Sequence, residues 1–384
     1  MLSSRLYPFP QNELEVRSNI ILKYFKQWST QLIHSIKMEG LEEKFAFVDL
    51  SVGFGLEGAT ANGATECSKA VATKILQLSA KNKALCSMLS IILNDKETEI
   101  IANITKDIAN IDWIETLTFQ PSIHLSDVDA PVLAALSPIK TLPTLAILDW
   151  WNYKGVTIEL LQNLVYKSGA DCLFVFDYKS ILNAFPKKSK QEDLVRIFGL
   201  AILTELKEQL KGRIPAYQKE KLLLNALRQR LNQTAKTPYL LQYKFYDTGN
   251  KTSHFLFFIS QNQAAYTLMR EVFCAESQVI EDGIGNLEYN PNKGAQQKIS
   301  SQTLFGSMFK LEQDLLQTYK SQTLQIADIY ENHHSGKTLV KKNYIDALLN
   351  LERKNKITVT RKRQRMRLQN DLRLNDSIFV SFNK

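Results

Sequence analysis

The sequence predicts an α/β protein built on a Rossmann-like, doubly wound, mostly parallel sheet, and three observations carry that expectation. Short apolar runs rich in strand formers end repeatedly in Asp; segments of three-to-four periodicity separate them; two late runs joined by a polar connector form a terminal antiparallel hairpin. Strands that read as continuous apolar runs belong to a sheet covered on both faces. A helical insertion and a C-terminal winged-helix domain complete the expected architecture.

Residues 16–36 place Ile20, Ile21, Tyr24, Phe25, Trp28, Leu32 and Ile33 at helical spacing, an amphipathic helix whose broad apolar face covers the sheet. Phe45-Ala46-Phe47-Val48-Asp49 is the first strand, and it runs into a turn containing Gly53, Gly55 and Gly58. A helix over 67–81, a strand over 87–93 ending at Asn94-Asp95, and a helix over 96–109 follow. The alternation continues with a strand over 145–149, a helix over 156–166 and a strand over 172–177. Residues 187–233, rich in Lys, Gln, Glu and Leu and without strand signals, predict two helices broken near 212–215, the helical insertion. Runs 239–247 and 254–260 form the hairpin. The sheet domain therefore spans 1–280, the polar and glycine-containing stretch 281–302 reads as a linker, and 303–384 is the final domain.

That final domain reads as helix, helix, strand, wing, strand: helices over 323–331 and 344–353, then strands over 357–360 and 378–382 flanking a basic segment. Thirteen Lys and Arg against four Asp and Glu fall within residues 337–384, leaving 35 of each sign in the first 336 residues. The body is neutral and the tail basic. Polyanions favour such a tail, because each phosphate neutralised releases condensed counterions. In a winged helix the second helix enters the major groove and wing residues grip phosphate, which assigns DNA or RNA contacts to Arg361, Lys362, Arg363, Arg365, Arg367 and Arg373. The same fold also serves as a protein-docking module.

Composition narrows the remaining classes. With 384 residues, 44% hydrophobic and 23% charged, the chain can bury a sizeable core in two or three domains. The N-terminus lacks an apolar signal region and no stretch of about 18 apolar residues exists to span a bilayer, so a cytoplasmic protein without membrane partners is expected. Cys67, Cys86, Cys172 and Cys274 stand apart without a CxxC pair and read as reduced structural thiols. His34, His124, His254, His333 and His334 show no metal-ligand spacing, and no metal site is expected. Neither a GxxxxGK[ST] loop, a GxSxG elbow nor an HExxH pair occurs.

Asp49-Leu50-Ser51-Val52-Gly53-Phe54-Gly55 ends a strand and leads toward a helix, where a doubly wound sheet places its ligand crevice; a generic tight turn explains it equally well. Asp95, at the end of the second strand, is placed to accept hydrogen bonds from ribose hydroxyls. Leu148-Asp149-Trp150-Trp151-Asn152 opens into the same crevice. One reading gives Asp149 and Asn152 polar contacts to an acceptor and lets Trp150 stack on a planar group such as a nucleobase; the other makes the tryptophans core and Asp149 a cap.

The order of these segments, together with Gly63-Ala64-Thr65-Glu66-Cys67, Asn94-Asp95-Lys96 and the late hairpin, resembles the bacterial three-Cys-motif partner family over most of the chain. The resemblance implies a class I S-adenosylmethionine-dependent methyltransferase-like fold followed by a winged helix. It assigns Asp49, Gly53 and Gly55 to the methionine moiety of S-adenosylmethionine, Asp95 to the ribose, and Asp149, Trp150 and Asn152 to the acceptor side. It further implies a radical-enzyme-like partner bearing three cysteines, and a phage-defence or mobile-element setting. Two departures bear on activity. Leu50-Ser51-Val52 precedes Gly53 where the family has a tighter glycine turn, and Trp150 and Trp151 stand where amino-group methyltransferases carry the prolines of Asp-Pro-Pro-Tyr. A catalytically inactive adaptor that binds nucleic acid or protein is the alternative to an enzyme.

Overall fold

The computed structural model describes residues 12–39, 44–55, 71–80, 82–139, 141–167, 169–233, 239–281, 284–293, 296–298, 307–334, 337, 339–360 and 378–383. The chain divides into two compact units, Met1–Met269 with Tyr289–Asn292, and Arg270–Glu288 with Lys293–Lys384. Among the described residues no helix is long and apolar enough to cross a membrane.

In the first unit the elements run α1 (Glu13–Glu39), β1 (Phe45–Asp49), α2 (Val71–Ser79), α3 (Lys83–Met88), β2 (Leu89–Asp95), α4 (Thr98–Ala109), β3 (Ser122–Leu125), α5 (Ala130–Ala135), β4 (Thr144–Asp149), α6 (Ile158–Gln162), β5 (Asp171–Phe176), α7 (Tyr178–Ala184), α8 (Gln191–Phe198), α9 (Leu200–Gln209), α10 (Ala216–Leu231), β6 (Tyr239–Tyr246) and β7 (Thr252–Ser260). The strand order is β6-β7-β5-β4-β1-β2-β3, with the short strand Glu288–Tyr289 beyond β6. Strands β1 to β5 pair in parallel, and β7 lies antiparallel to both β5 and β6. The first unit thus has the expected doubly wound, methyltransferase-like sheet, with an antiparallel hairpin at one end.

Every residue of β1, β4 and β5 is buried, as the unbroken apolar runs require. Helix α1 covers one face: Phe25 meets Phe47 edge-on at 5.9 Å, Trp28 meets Phe45 at 5.5 Å, and Tyr24 packs 5.2 Å from Phe258. A buried carboxylate pins this helix to the sheet, Asp171 accepting hydrogen bonds from the hydroxyls of Tyr24 at 2.7 Å and Ser260 at 2.6 Å. The opposite face carries the larger core, and the helical insertion is part of it: Leu194, Ile197, Phe198, Leu203, Leu223 and Leu227 pack into the same cluster as Val48, Leu148 and Phe174. Its break near residues 212–215 falls as predicted, while the first predicted helix is split into α8 and α9 at Gly199, whose φ of 77° is outside the helical range.

The second unit takes in the end of α11 (Gln263–Ala275), then β8 (Val279–Glu281), β9 (Ile284–Gly285), β10 (Glu288–Tyr289, the sheet-edge strand above), β11 (Gln296–Lys298), α12 (Ser307–Thr318), β12 (Thr323–Gln325), α13 (Ile326–His333), α14 (Lys341–Arg353), β13 (Ile357–Thr360) and β14 (Phe379–Phe382). Stretch 281–302, expected as a linker, instead contributes strands, and β8, β9 and β11 form a small sheet. Strands of two or three residues are too short to leave a periodic signal. The second sheet, β12-β14-β13, is antiparallel and packs with α12 to α14 around Leu315, Ile329, Tyr344, Leu348 and Val380. This is a winged helix, with α12 and β12 added to the predicted order.

Candidate functional site

Three Asp residues end at one rim. Asp49 closes β1, Asp95 closes β2 and Asp149 closes β4, and these strands are adjacent and parallel, so the acids share the carboxyl edge where the strand order reverses. Asp49 is 4% exposed and accepts the Ser51 N–H at 3.1 Å. Burial pushes its carboxyl up to about 7; the Ser51 bond opposes this and the neighbouring Asp95 charge adds to it.

Asp95 is wholly buried, and its oxygens are already in use. Oδ2 accepts the Gly53 N–H at 2.7 Å, Oδ1 accepts the Glu97 N–H at 3.0 Å, and the Tyr153 hydroxyl bonds to the same carboxylate. The turn after β1 therefore folds back onto the acid that ends β2. Gly53 is required sterically, since a Cβ there would lie 2.5 Å from Ile100 Cδ1 and 3.0 Å from Asp95 Oδ2. Gly55 ends the same short 3-10 turn, Val52–Gly55. The Ser51 hydroxyl is buried and finds no hydrogen-bond partner among the described residues. Gly58 and the 63–67 segment lie outside those residues.

At β4 the predicted trio separates. Trp150 turns inward, 2% exposed, with its ring edge-on to Phe174 at 6.0 Å, so the expected stacking on a nucleobase is corrected to a core role. Asp149 organises its own turn: Oδ1 accepts the N–H groups of Trp151 at 3.1 Å and Asn152 at 3.0 Å, and Oδ2 accepts Asn152 Nδ2 at 2.7 Å. Burial raises the Asp149 carboxyl, opposed by the Asn152 bonds.

Sequence reasoning missed Arg196, which reaches this turn from α8. Its Nη1 donates to the carbonyls of Trp150 at 2.7 Å, Val156 at 3.1 Å and Tyr153 at 3.2 Å, and Nη2 donates to Trp151 at 3.3 Å. Lys96 Nζ adds a bond to the Asn152 carbonyl at 2.9 Å, and Asp127 accepts the N–H groups of Lys154 at 2.9 Å and Gly155 at 3.1 Å. In sequence Arg196 reads as an ordinary surface cation three residues after Asp193, and nothing local marks its long-range role.

In the winged helix the outer side of α14 pairs Lys342 with Asp346 at 3.0 Å and ends in the exposed Arg353. The predicted nucleic-acid contacts Arg361, Lys362, Arg363, Arg365, Arg367 and Arg373 lie outside the described residues. Residues 288–363 match the family model of the GMT-like wHTH domain. A search of the curated proteins finds no match to the chain. Among solved structures, protein LPL1258 from Legionella pneumophila str. Philadelphia 1 is 10% identical, with a TM-score of 0.34, covering 70% of this chain and 94% of that one. The methyltransferase domain of bacterial CtHen1 is 11% identical, TM-score 0.27, covering 62% and 99%. A SAM-dependent methyltransferase from Methanosarcina mazei is 12% identical, TM-score 0.27, covering 59% and 96%. The fold assignment rests on the strand order and the wHTH match, not on these likenesses.

Proposed function

We propose that the chain binds S-adenosylmethionine at the β1–β2 rim and engages DNA or RNA through its wHTH domain, as a methyltransferase. The observation that supports this most is the convergence of Asp49 and Asp95 at the switch point, bridged by Gly53. The residues fit the cofactor. Ser51 offers a buried hydroxyl without a partner, and Asp95 uses three of about four acceptor positions, which leaves one for a ribose hydroxyl. Asp49, Gly53 and Gly55 would hold the methionine moiety. The bound sulfonium supplies an activated methyl group; the chain's own work is to align the acceptor and exclude water, with Asp149 and Asn152 as the polar groups on that side.

The adaptor reading has its own support, because Asp95 and Asp149 are both hydrogen-bonded by the chain itself and Trp150 is core. Calorimetry with S-adenosylmethionine separates the two. The enzyme reading expects binding that is lost in Asp49→Ala and Asp95→Ala, with affinity rising as pH passes upward through about 7 and Asp49 ionises; absence of heat with folded wild-type protein would leave the adaptor. For nucleic acid, Gln at Arg361, Lys362, Arg363, Arg365 and Arg367 is expected to weaken DNA or RNA retention and lower the salt slope by about 0.9 per lost phosphate contact on duplex DNA. Unchanged retention rejects that contact set. The resemblance to the three-Cys-motif partner family adds a three-cysteine protein as a candidate partner and phage defence as a setting.

A further inference from the structure

A polar cavity of 190 Å³ opens at the same rim, lined by Glu13 and Arg17 of α1, Asp149 and Asn152 after β4, Asp177 after β5, and His254 of β7. A cavity of about 150 Å³ accommodates benzene, so this one has room for a single compact group. Its charges do not balance. Glu13 and Arg17 pair at 3.3 Å, and burial, with Arg17 nearby, holds the His254 ring neutral, well below its usual titration range. That leaves Asp149, only 4% exposed, and Asp177, neither in an ion pair among the described residues. The open hydrogen-bonding positions are acceptors. Asp177 Oδ1 caps α7 by accepting the Ser180 N–H at 2.9 Å while Oδ2 takes no hydrogen bond among the described residues, and Asn152 spends its Nδ2 on Asp149 and keeps Oδ1.

We infer that this cavity binds a compact organic cation rich in N–H donors, a guanidinium or alkylammonium group. Such a ligand compensates the uncancelled carboxylates and fills acceptor positions on both Asp177 and Asn152, whereas an anion is repelled and a neutral ring leaves the buried charge of Asp149 unmatched. The inference is independent of the methyl-donor reading, since none of these side chains holds the cofactor there.

Titrating methylguanidinium into the full chain by calorimetry tests it, with tetramethylammonium, which has no N–H, as the control. Saturable heat at millimolar concentration is expected only from methylguanidinium. Asp177→Asn keeps the helix cap, because Asn caps as well as Asp, and removes the charge; affinity is expected to fall about tenfold, with Asn152→Ala weakening it as a second variant. Equal affinity in Asp177→Asn, absence of saturation in the wild type, or saturation by cytosine in place of methylguanidinium overturns the inference. S-adenosylmethionine titrated into Asp177→Asn reads the methyl-donor site separately.

Discussion

Asp49→Asn is expected to be more stable than the wild type above pH 7, by roughly 3–4 kcal/mol at most. The carboxyl ionises at about 7 in the folded chain against 3.8 for the free group, so the folded state binds the extra proton between those values. A raised folded value stabilises most below the unfolded value, and that contribution disappears as pH rises through about 7. The wild-type unfolding free energy therefore declines across this window, while the Asn variant, which keeps the acceptor oxygen for the Ser51 N–H, does not. Guanidinium chloride unfolding at several pH values reads the difference directly. Parallel curves for the two proteins would show that Asp49 is not the buried titrating group. The same replacement removes the charge proposed to face the methionine moiety, so a gain in stability accompanied by lost S-adenosylmethionine affinity is the combination the site predicts.

Arg196→Ala is expected to cost about 2–3 kcal/mol, because one guanidinium serves four carbonyls of the turn after β4 and its loss leaves them to water or unpaired. Arg196→Lys should recover less than half, since an ammonium cannot present the planar fork that reaches several oxygens at once. Hydrogen exchange over residues 150–156 should accelerate in both variants, with β1 protection little changed. If exchange there stays at the wild-type rate, the turn is held by Lys96 and Asp127 alone. Because the prolines of the amino-group methyltransferase motif are replaced by Trp150 and Trp151, Arg196 gives the turn a rigidity of different origin, and places it under the control of the helical insertion.

How much of this was legible in the sequence depended on the distance over which each contact acts. Strands β1, β2, β4 and β5 announce themselves because both faces are buried, leaving no room for polar residues. Strand β3, Ser-Ile-His-Leu at the sheet edge and only partly buried, lacks that signal. Asp49 and Asp95 could be paired in advance because strand ends in a parallel sheet converge. Trp150 could not be placed, since an aromatic residue after a strand suits the core and a ligand face equally. Arg196 acts 40 to 46 residues from its partners, and its position on an amphipathic helix is that of any solvated cation. Stretch 281–302 failed for the opposite reason, its strands being too brief to show a period.

The reversed direction of β7 has a lasting effect on how this molecule can change. In a wholly parallel sheet the beginnings of strands occupy the floor opposite their ends, whereas here Phe255 sits beside Phe176 and the opening residues of β7 reach the roof formed by the closing residues of β4 and β5. The hairpin tip at residues 247–251 is thus a surface handle on a recessed chamber. Lengthening or recolouring that tip can retune what the chamber admits without disturbing a single rung of the parallel ladder.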